Sequence, residues 1–376
     1  MAKLKTALGL MSGTSMDGID VALLRTDGEH QIEHGPFRST AYPEDFRARL
    51  RQGLIDALPI RKRSARPGSL EALEKELTER HAAAVKEFLE AEGIPPRDVD
   101  IVGFHGQTVL HRVRQAIFAF ERGMLTVQIG DGGSLAKSIG IDVVYDLRAA
   151  DCAAGGQGAP MVPVYHRALT AKLDARPLAI LNIGGVANVT WIGRDGKLLA
   201  FDTGPGNALI DDWLLQHTGR AIDEDGQLAE SGRVDEDVLK AMLRDPYFAK
   251  LPPKSLDRKS FTIEGLIDIA PADGAATLTA FTAAAVRRAI EHMPEPPALW
   301  LVCGGGRRNR TLMKELAARL EAAVAPIEAI GANGDAIEAE AWAYLAVRSL
   351  GGLPLTFPGT TGVAKPTTGG VLARGR

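Results

Sequence analysis

Cysteine is scarce in this 376-residue chain: there are only two, Cys152 and Cys303. That excludes a disulfide scaffold and a four-cysteine zinc site, and it fits a reducing compartment. Aromatic residues reach only 5%. No apolar run approaches the roughly 18 residues of a spanning helix. The apolar stretch near the N-terminus is broken at Ser12, Gly13 and Thr14, too early for the core of a signal peptide. A cytoplasmic protein without a membrane partner is expected. An excess of one charge is also missing. Lysine plus arginine (44) nearly balance aspartate plus glutamate (47), for a net charge of −3. Such a chain has no bulk positive field for nucleic acid. The phosphate loop G-x-x-x-x-G-K-[ST] is absent, and so is a G-x-G-x-x-G run followed by an acid about 20 residues on.

What the sequence does have is glycine, 41 residues, with 21 prolines and no collagen-like period. The length suggests two or three domains. Residues 5–11 read as an apolar strand, 12–18 as a turn rich in hydroxyls and glycine, and 19–25 as a second strand before the turn Asp27-Gly28. From Leu70 to residue 92, Leu70, Leu73, Leu77, His81, Val85 and Phe88 recur at helical steps, so His81 reads as packing. Short apolar runs at 99–104, 126–130 and 141–146 read as buried strands. Near residue 178 the opening layout returns: strand, Gly184-Gly185, strand, Asp195-Gly196, strand. The repetition points to two related α/β domains with a cleft between them. Helices are expected at 276–291, 310–324 and 335–350, with a strand at 298–302 running into Cys303-Gly304-Gly305-Gly306.

Five segments concentrate the small residues: 11–18, 151–160 (DCAAGGQGAP), 182–188 (NIGGVAN), 202–207 (DTGPGN) and 303–309 (CGGGRRN). Glycine admits close backbone approach, and neighbouring hydroxyls add donors suited to phosphate. Each segment is also readable as a plain turn. Asp202 follows an apolar strand and precedes Thr203-Gly204, which suits either a fixed general base or a carboxylate capping a turn. Asp17 and Asp20 are candidate metal or phosphate-water contacts. His105 and His111 are poorly spaced for a metal, and His105 suits a ligand hydrogen bond better. The basic run Arg61-Lys62-Arg63 with Arg66 reads as a solvated loop.

These segments resemble one family. The run Gly9-Leu10-Met11-Ser12-Gly13-Thr14-Ser15-Met16-Asp17-Gly18-Ile19-Asp20 is similar to the N-terminal signature of anhydro-N-acetylmuramic acid kinases. GFHGQT (103–108), TVQIGD (126–131), AAGGQGAPMVP (153–163), LNIGG (181–185), FDTGPGN (201–207), CGGGRRN (303–309) and FPGTTG (357–362) follow in family order. The resemblance implies two duplicated ribonuclease H-like domains, an actin-like ATPase fold, flanking a central nucleotide-binding cleft. It divides the chain into 1–145 plus 352–376, and 146–351. It implies ATP and Mg²⁺ as cofactors, 1,6-anhydro-N-acetylmuramic acid as the small-molecule partner, and a homodimer.

The family reaction opens the 1,6-anhydro bridge with water and phosphorylates O6. Carried over residue by residue, Asp202 becomes the base that activates water. The ATP site becomes Gly13, Thr14, Ser15, Met16, Asp17, Gly18, Ile19 and Asp20, with Gly184, Gly185, Gly304, Gly305 and Gly306. His105, Gln107, Arg148, Asn207 and Glu338 become substrate contacts, and Asp17 or Asp20 reaches the metal through water. Ala150 stands where some relatives carry a basic residue. Two other readings remain open at this point: another amino-sugar kinase of the same superfamily, or a non-catalytic ATP-binding sensor.

Overall fold

In the computed structural model, which describes residues 3–13, 15–112, 125–264, 266 and 268–375, strand β1 (Lys5–Met11) pairs antiparallel with β2 (Gly18–Thr26), Met11 lying opposite Asp20. The Asp27 carboxylate accepts the backbone N–H groups of Glu29, His30 and Gln31, and Gly28 turns at φ 77° into β3 (Ile32–Ala41). After helices α1 (Glu44–Asp56) and α2 (Leu70–Ala91), β4 (Ile101–Phe104) runs parallel to β1. Strands β5 (Gln107–Arg112) and β6 (Leu125–Ile129) form a separate ribbon. Helix α3 (Gly132–Ile139) then leads to β7 (Val143–Tyr145), which is parallel to β4.

A second sheet repeats this plan. Strands β8 (Leu178–Ile183), β9 (Val186–Ile192) and β10 (Leu198–Pro205) form an antiparallel meander. Strands β11 (Leu299–Cys303) and β12 (Ala323–Pro326) extend it in parallel beyond β8. The orders are β3-β2-β1-β4-β7, closed by β13 (Val371–Ala373), and β10-β9-β8-β11-β12. Both are the ribonuclease H-like arrangement, so the duplication expected from the turn pattern is present in the topology.

The remaining helices are α4 (Ala149–Ala153), α5 (Pro163–Leu169), α6 (Ala208–Thr218), α7 (Gln227–Ser231), α8 (Glu236–Met242), α9 (Pro271–Ala289), α10 (Arg310–Leu320), α11 (Ile337–Leu350) and α12 (Pro358–Thr361). The α2 residues Leu70, Leu73, Leu77, Val85 and Phe88 are all buried with Leu8, Leu10, Val102 and Phe104 in one core. Each such side chain contributes about 1.5–3 kcal/mol. His81 belongs to this packing: its Nδ1 lies 2.8 Å from the Leu77 carbonyl and its ring meets Phe104 edge-on at 4.9 Å.

Strand alternation sends Gly9 and Gly103 to the opposite face of the sheet. There α11 crosses so closely that a Cβ on Gly9 would lie 1.7 Å from the Ala339 carbonyl oxygen, and one on Gly103 2.0 Å from that of Trp342. In the second sheet, Ala283 and Val286 of α9 and Leu312 and Leu316 of α10 pack on Leu181, Trp300 and Val302.

Two expectations need correction. The periodicity at 310–324 suggests one helix, but α10 ends at Leu320. Glu321 takes the left-handed conformation (φ 52°) and the chain continues as β12. The two compact units are Met1–Ala171 with Ala336–Arg376, and Lys172–Asp335. Segments 146–171 and 336–351, assigned from sequence to the second lobe, therefore sit in the first unit. The reason is packing: α11 lies on β1, β2 and β4, and buried Asp151 accepts hydrogen bonds from Gly158 N–H (2.6 Å) and the Thr361 hydroxyl (2.6 Å).

Candidate functional site

The tip between β1 and β2 is held from beneath. The buried Ser12 hydroxyl donates to Gln107 Oε1 at 2.6 Å, and Gln107 Nε2 donates to the Gly13 carbonyl at 3.0 Å. Met16 takes positive φ (56°), and its N–H returns to the Gly13 carbonyl at 3.1 Å. Gln107, expected as a substrate contact, is thus spent on shaping this loop. Asp17 is exposed and bridges to Arg47 at 3.2 Å. Ile19 is buried in the core. Gly18 is a packing glycine, since its Cβ would lie 2.2 Å from the Thr40 carbonyl. Ser15 is exposed, and Thr14 lies outside the described residues.

A charged cluster forms in the same unit. Arg148, just before α4, donates to the Gly158 carbonyl at 2.8 Å and lies 3.2 Å from His105 Nε2. Its guanidinium sits over the Trp342 ring, 5.3 Å from the centroid, and its buried Nε has no hydrogen-bond partner among the described residues. His105 is itself buried. Its Nδ1 is 2.6 Å from the Gly106 carbonyl, and burial together with the Arg148 charge pushes the imidazole down to about 3. A neutral imidazole beside Arg148 orients that guanidinium. Glu338, on the first turn of α11, is open to solvent. The protein mass around it still raises its carboxyl; Arg148 opposes that rise and Asp20 adds to it.

In the second unit three glycine-rich segments converge. The N–H groups of Gly206 and Asn207 reach the carbonyls of Gly185 and Gly184 at 2.9 and 2.8 Å, and Asn207 Nδ2 reaches the Ile183 carbonyl at 3.3 Å. Gly304 turns at φ 74°, and a Cβ there would meet Asn182 Oδ1 at 2.3 Å. One on Gly306 would meet Ile183 Cγ2 at 2.5 Å. These two glycines are explained by packing. Gly13, Gly184, Gly185 and Gly305 are different: a Cβ on any of them would meet nothing closer than 3.6 Å. Neither packing nor a positive φ requires glycine at these four positions, and bare backbone of this kind admits close approach.

Asp202 does not end its strand. It sits inside β10 at a bulge, where the register shifts between Asp202 and Gly204. Bulges re-aim side chains. Its carboxylate accepts the Leu256 N–H at 2.7 Å, and its backbone N–H and carbonyl bond Lys254 O (3.1 Å) and the Tyr247 hydroxyl (2.6 Å). Burial raises the carboxyl to about 6, against the lowering effects of Leu256 and Lys254. At neutral pH the group is ionised yet basic enough to take a proton.

Sequence reasoning missed the residues around Asp202. Tyr247 and Lys254 stand in a proline-rich stretch with no motif to flag them. Arg258 was missed as well: its Nε lies 3.6 Å from where a Gly185 Cβ would be, and it pairs with Asp212 at 3.0 Å. Among the described residues, no group of three or more His, Cys, Asp or Glu side chains gathers to hold a metal.

The comparisons agree with the motifs. A model of the family described as anhydro-N-acetylmuramic acid kinase matches residues 5–374. A kinase of that name from Rhizorhabdus wittichii is 54% identical over 98% of both chains. One from Rhodospirillum rubrum is 55% identical over 97% of this chain and 93% of its own. Among solved structures, the chain is similar to a ROK family glucokinase from Streptomyces griseus in complex with glucose and AMPPNP, at 14% identity over 91% of this chain and 99% of that one, with a TM-score of 0.42. With a family match running almost from end to end and relatives at this identity over nearly their full length, the chain belongs to the anhydro-N-acetylmuramic acid kinase family.

Proposed function

We propose that the protein converts 1,6-anhydro-N-acetylmuramic acid, water and ATP into N-acetylmuramic acid 6-phosphate and ADP, a step in the reuse of peptidoglycan. The observation that carries the reading is the Asp202 carboxylate, fixed at a bulge and raised to about 6. Asp202 takes the proton of a water as that water attacks C1. The C1–O6 bond breaks, and O6 accepts the γ-phosphoryl group while ADP leaves. Attack on an acetal needs a base and a way to stabilise the departing oxygen. Phosphoryl transfer needs positioning and charge neutralisation more than covalent help.

ATP phosphates approach the bare backbone at Gly13, Gly184, Gly185 and Gly305, with Ser15 and Arg258 as further donors. Arg148 and Glu338 bind the sugar, and the neutral His105 holds Arg148 in place. Asp17 or Asp20 would hold Mg²⁺ through water, and the bound ion would supply neutralisation of phosphate charge, in keeping with an ion that relies on phosphates and few carboxylates. We also propose a cytoplasmic homodimer.

The test is product analysis after incubation with Mg-ATP and the anhydro sugar in ¹⁸O water. The reading expects a gain of one phosphoryl group and one water, with the label on C1 before anomeric exchange and none in the phosphate. Phosphate gained without water would instead mark an ordinary sugar kinase.

A further inference from the structure

Segment 247–256 brackets Asp202. It supplies the Leu256 N–H to the carboxylate, the Tyr247 hydroxyl to the Asp202 carbonyl and the Lys254 carbonyl to the Asp202 N–H. The same segment is tied to itself by one side chain. Lys254 is 8% exposed, and its ammonium donates to the carbonyls of Tyr247 and Phe248, both at 3.3 Å. It lies over the Tyr247 ring, 4.7 Å from the centroid, and 5.7 Å from that of Phe201, the residue before Asp202. The Phe248 carbonyl is shared with His292 Nε2 at 2.8 Å, which is itself 3.3 Å from the ammonium.

Burying an ammonium is costly, and among the described residues no carboxylate hydrogen-bonds to it in return. Burial and the nearby Arg288 charge lower it to about 8, so it is still mostly charged at neutral pH. Among the described residues its contacts are two carbonyls, two ring faces and an imidazole, a poor device for stability alone.

We infer that Lys254 is a positioning residue for Asp202: its ammonium closes the 247–256 segment around the base and adds a positive charge to the surroundings of the carboxylate. The inference rests on Asp202 being the base. The charged and titratable groups around the pair are Tyr247 and Lys250 from the segment, Arg288 from α9, and Glu291 and His292 just beyond it. Lys254, rather than any of these, is the charge that lowers the Asp202 carboxyl, after the Leu256 N–H.

The experiment compares Lys254→Gln, Lys254→Met and Lys254→Arg in the full-length protein. Turnover is followed as ADP release with the anhydro sugar from pH 5 to 9. Lys254→Gln keeps hydrogen-bond donors for the two carbonyls but loses the charge. Its acidic limb in kcat should move up by roughly half a pH unit or more. Lys254→Met loses both, and should lower kcat on the order of 10²-fold, the scale of a small misplacement of a reacting group. KM for either substrate should change little in both. Lys254→Arg should restore the limb. If Lys254→Met does not fold, the limb of Lys254→Gln still decides. An unmoved limb in Lys254→Gln, or losses confined to melting temperature and KM, would overturn the inference. Asp202→Asn separates the two readings. If it remains active, the assignment of the base fails; if it is inactive while the limb of Lys254→Gln is unmoved, only the role of Lys254 fails.

Discussion

One methyl group, added at either of two glycines in the first hairpin, should produce opposite defects. At Gly9 the new Cβ would sit 1.7 Å from the Ala339 carbonyl oxygen and 2.7 Å from Ala343 N. Ordinary contact needs about 3.3 Å, so α11 must retreat by roughly 1.5 Å. Overpacking of a core costs about 1–3 kcal/mol, and a clash with helix backbone, which has no rotamer to change, belongs at the upper end. For a unit of this size each 1 kcal/mol corresponds to about 2–4 °C, so Gly9→Ala should lower the melting temperature by about 6–12 °C. Glu338 precedes Ala339 on the helix that moves, so the sugar KM should rise as well. At Gly13 the Cβ would meet only Ser15 Oγ, at 3.6 Å. Gly13→Ala should therefore change stability by less than about 0.5 kcal/mol and act on the KM for ATP. Calorimetry and steady-state kinetics on the two variants settle the matter. Gly9→Ala melting within about 2 °C of the parent, or Gly13→Ala with an unchanged KM for ATP, would refute the division between packing and ligand-facing glycines.

Other sites carry predictions of the same kind. Arg307, only 6% exposed, braces the Gly304 carbonyl at 3.0 Å, Glu328 at 2.7 Å and Asp335 at 2.9 Å; Arg307→Met should destabilise the second unit by about 2 kcal/mol in urea unfolding. Asp151→Asn should weaken the junction of the 153–163 and 357–362 segments by a similar ~2 kcal/mol, read as faster proteolysis there. His34 Nδ1 meets buried Glu340 at 2.8 Å, which raises the imidazole above its ordinary value. A raised folded value means that the stabilisation is full below about pH 6.5 and fades as pH rises through the folded value. The melting-temperature gap between the parent and His34→Ala should therefore narrow as the pH rises, and a gap that widens would show the sign to be wrong.

The parts of the fold legible in sequence were those with a strong local period or turn. The apolar positions from Leu70 to Phe88 face one core, and the two Gly-rich hairpins open two sheets of one order. What escaped depends on distant packing. Nothing near residues 336–351 announces that α11 lies on β1 and β4, because the recesses that admit it belong to Gly9 and Gly103. Asp202 was found by its motif, but its setting was not: the bulge in β10 and the segment bearing Tyr247 and Lys254 meet it only in three dimensions. The glycine excess itself divides by the same criterion. Gly18, Gly206, Gly304 and Gly306 are bare because protein fills the space, whereas a Cβ on Gly13, Gly184, Gly185 or Gly305 would make only ordinary contacts at 3.6 Å or more.

The most direct test of the central claim is single-turnover chemistry in Asp202→Asn, with binding of ATP and of the anhydro sugar measured on the same sample. The account predicts that both ligands bind near the parental affinity while ring opening and phosphoryl transfer fall together by at least about 10³-fold, because no base takes the proton of water. Near-parental turnover in that variant would contradict it.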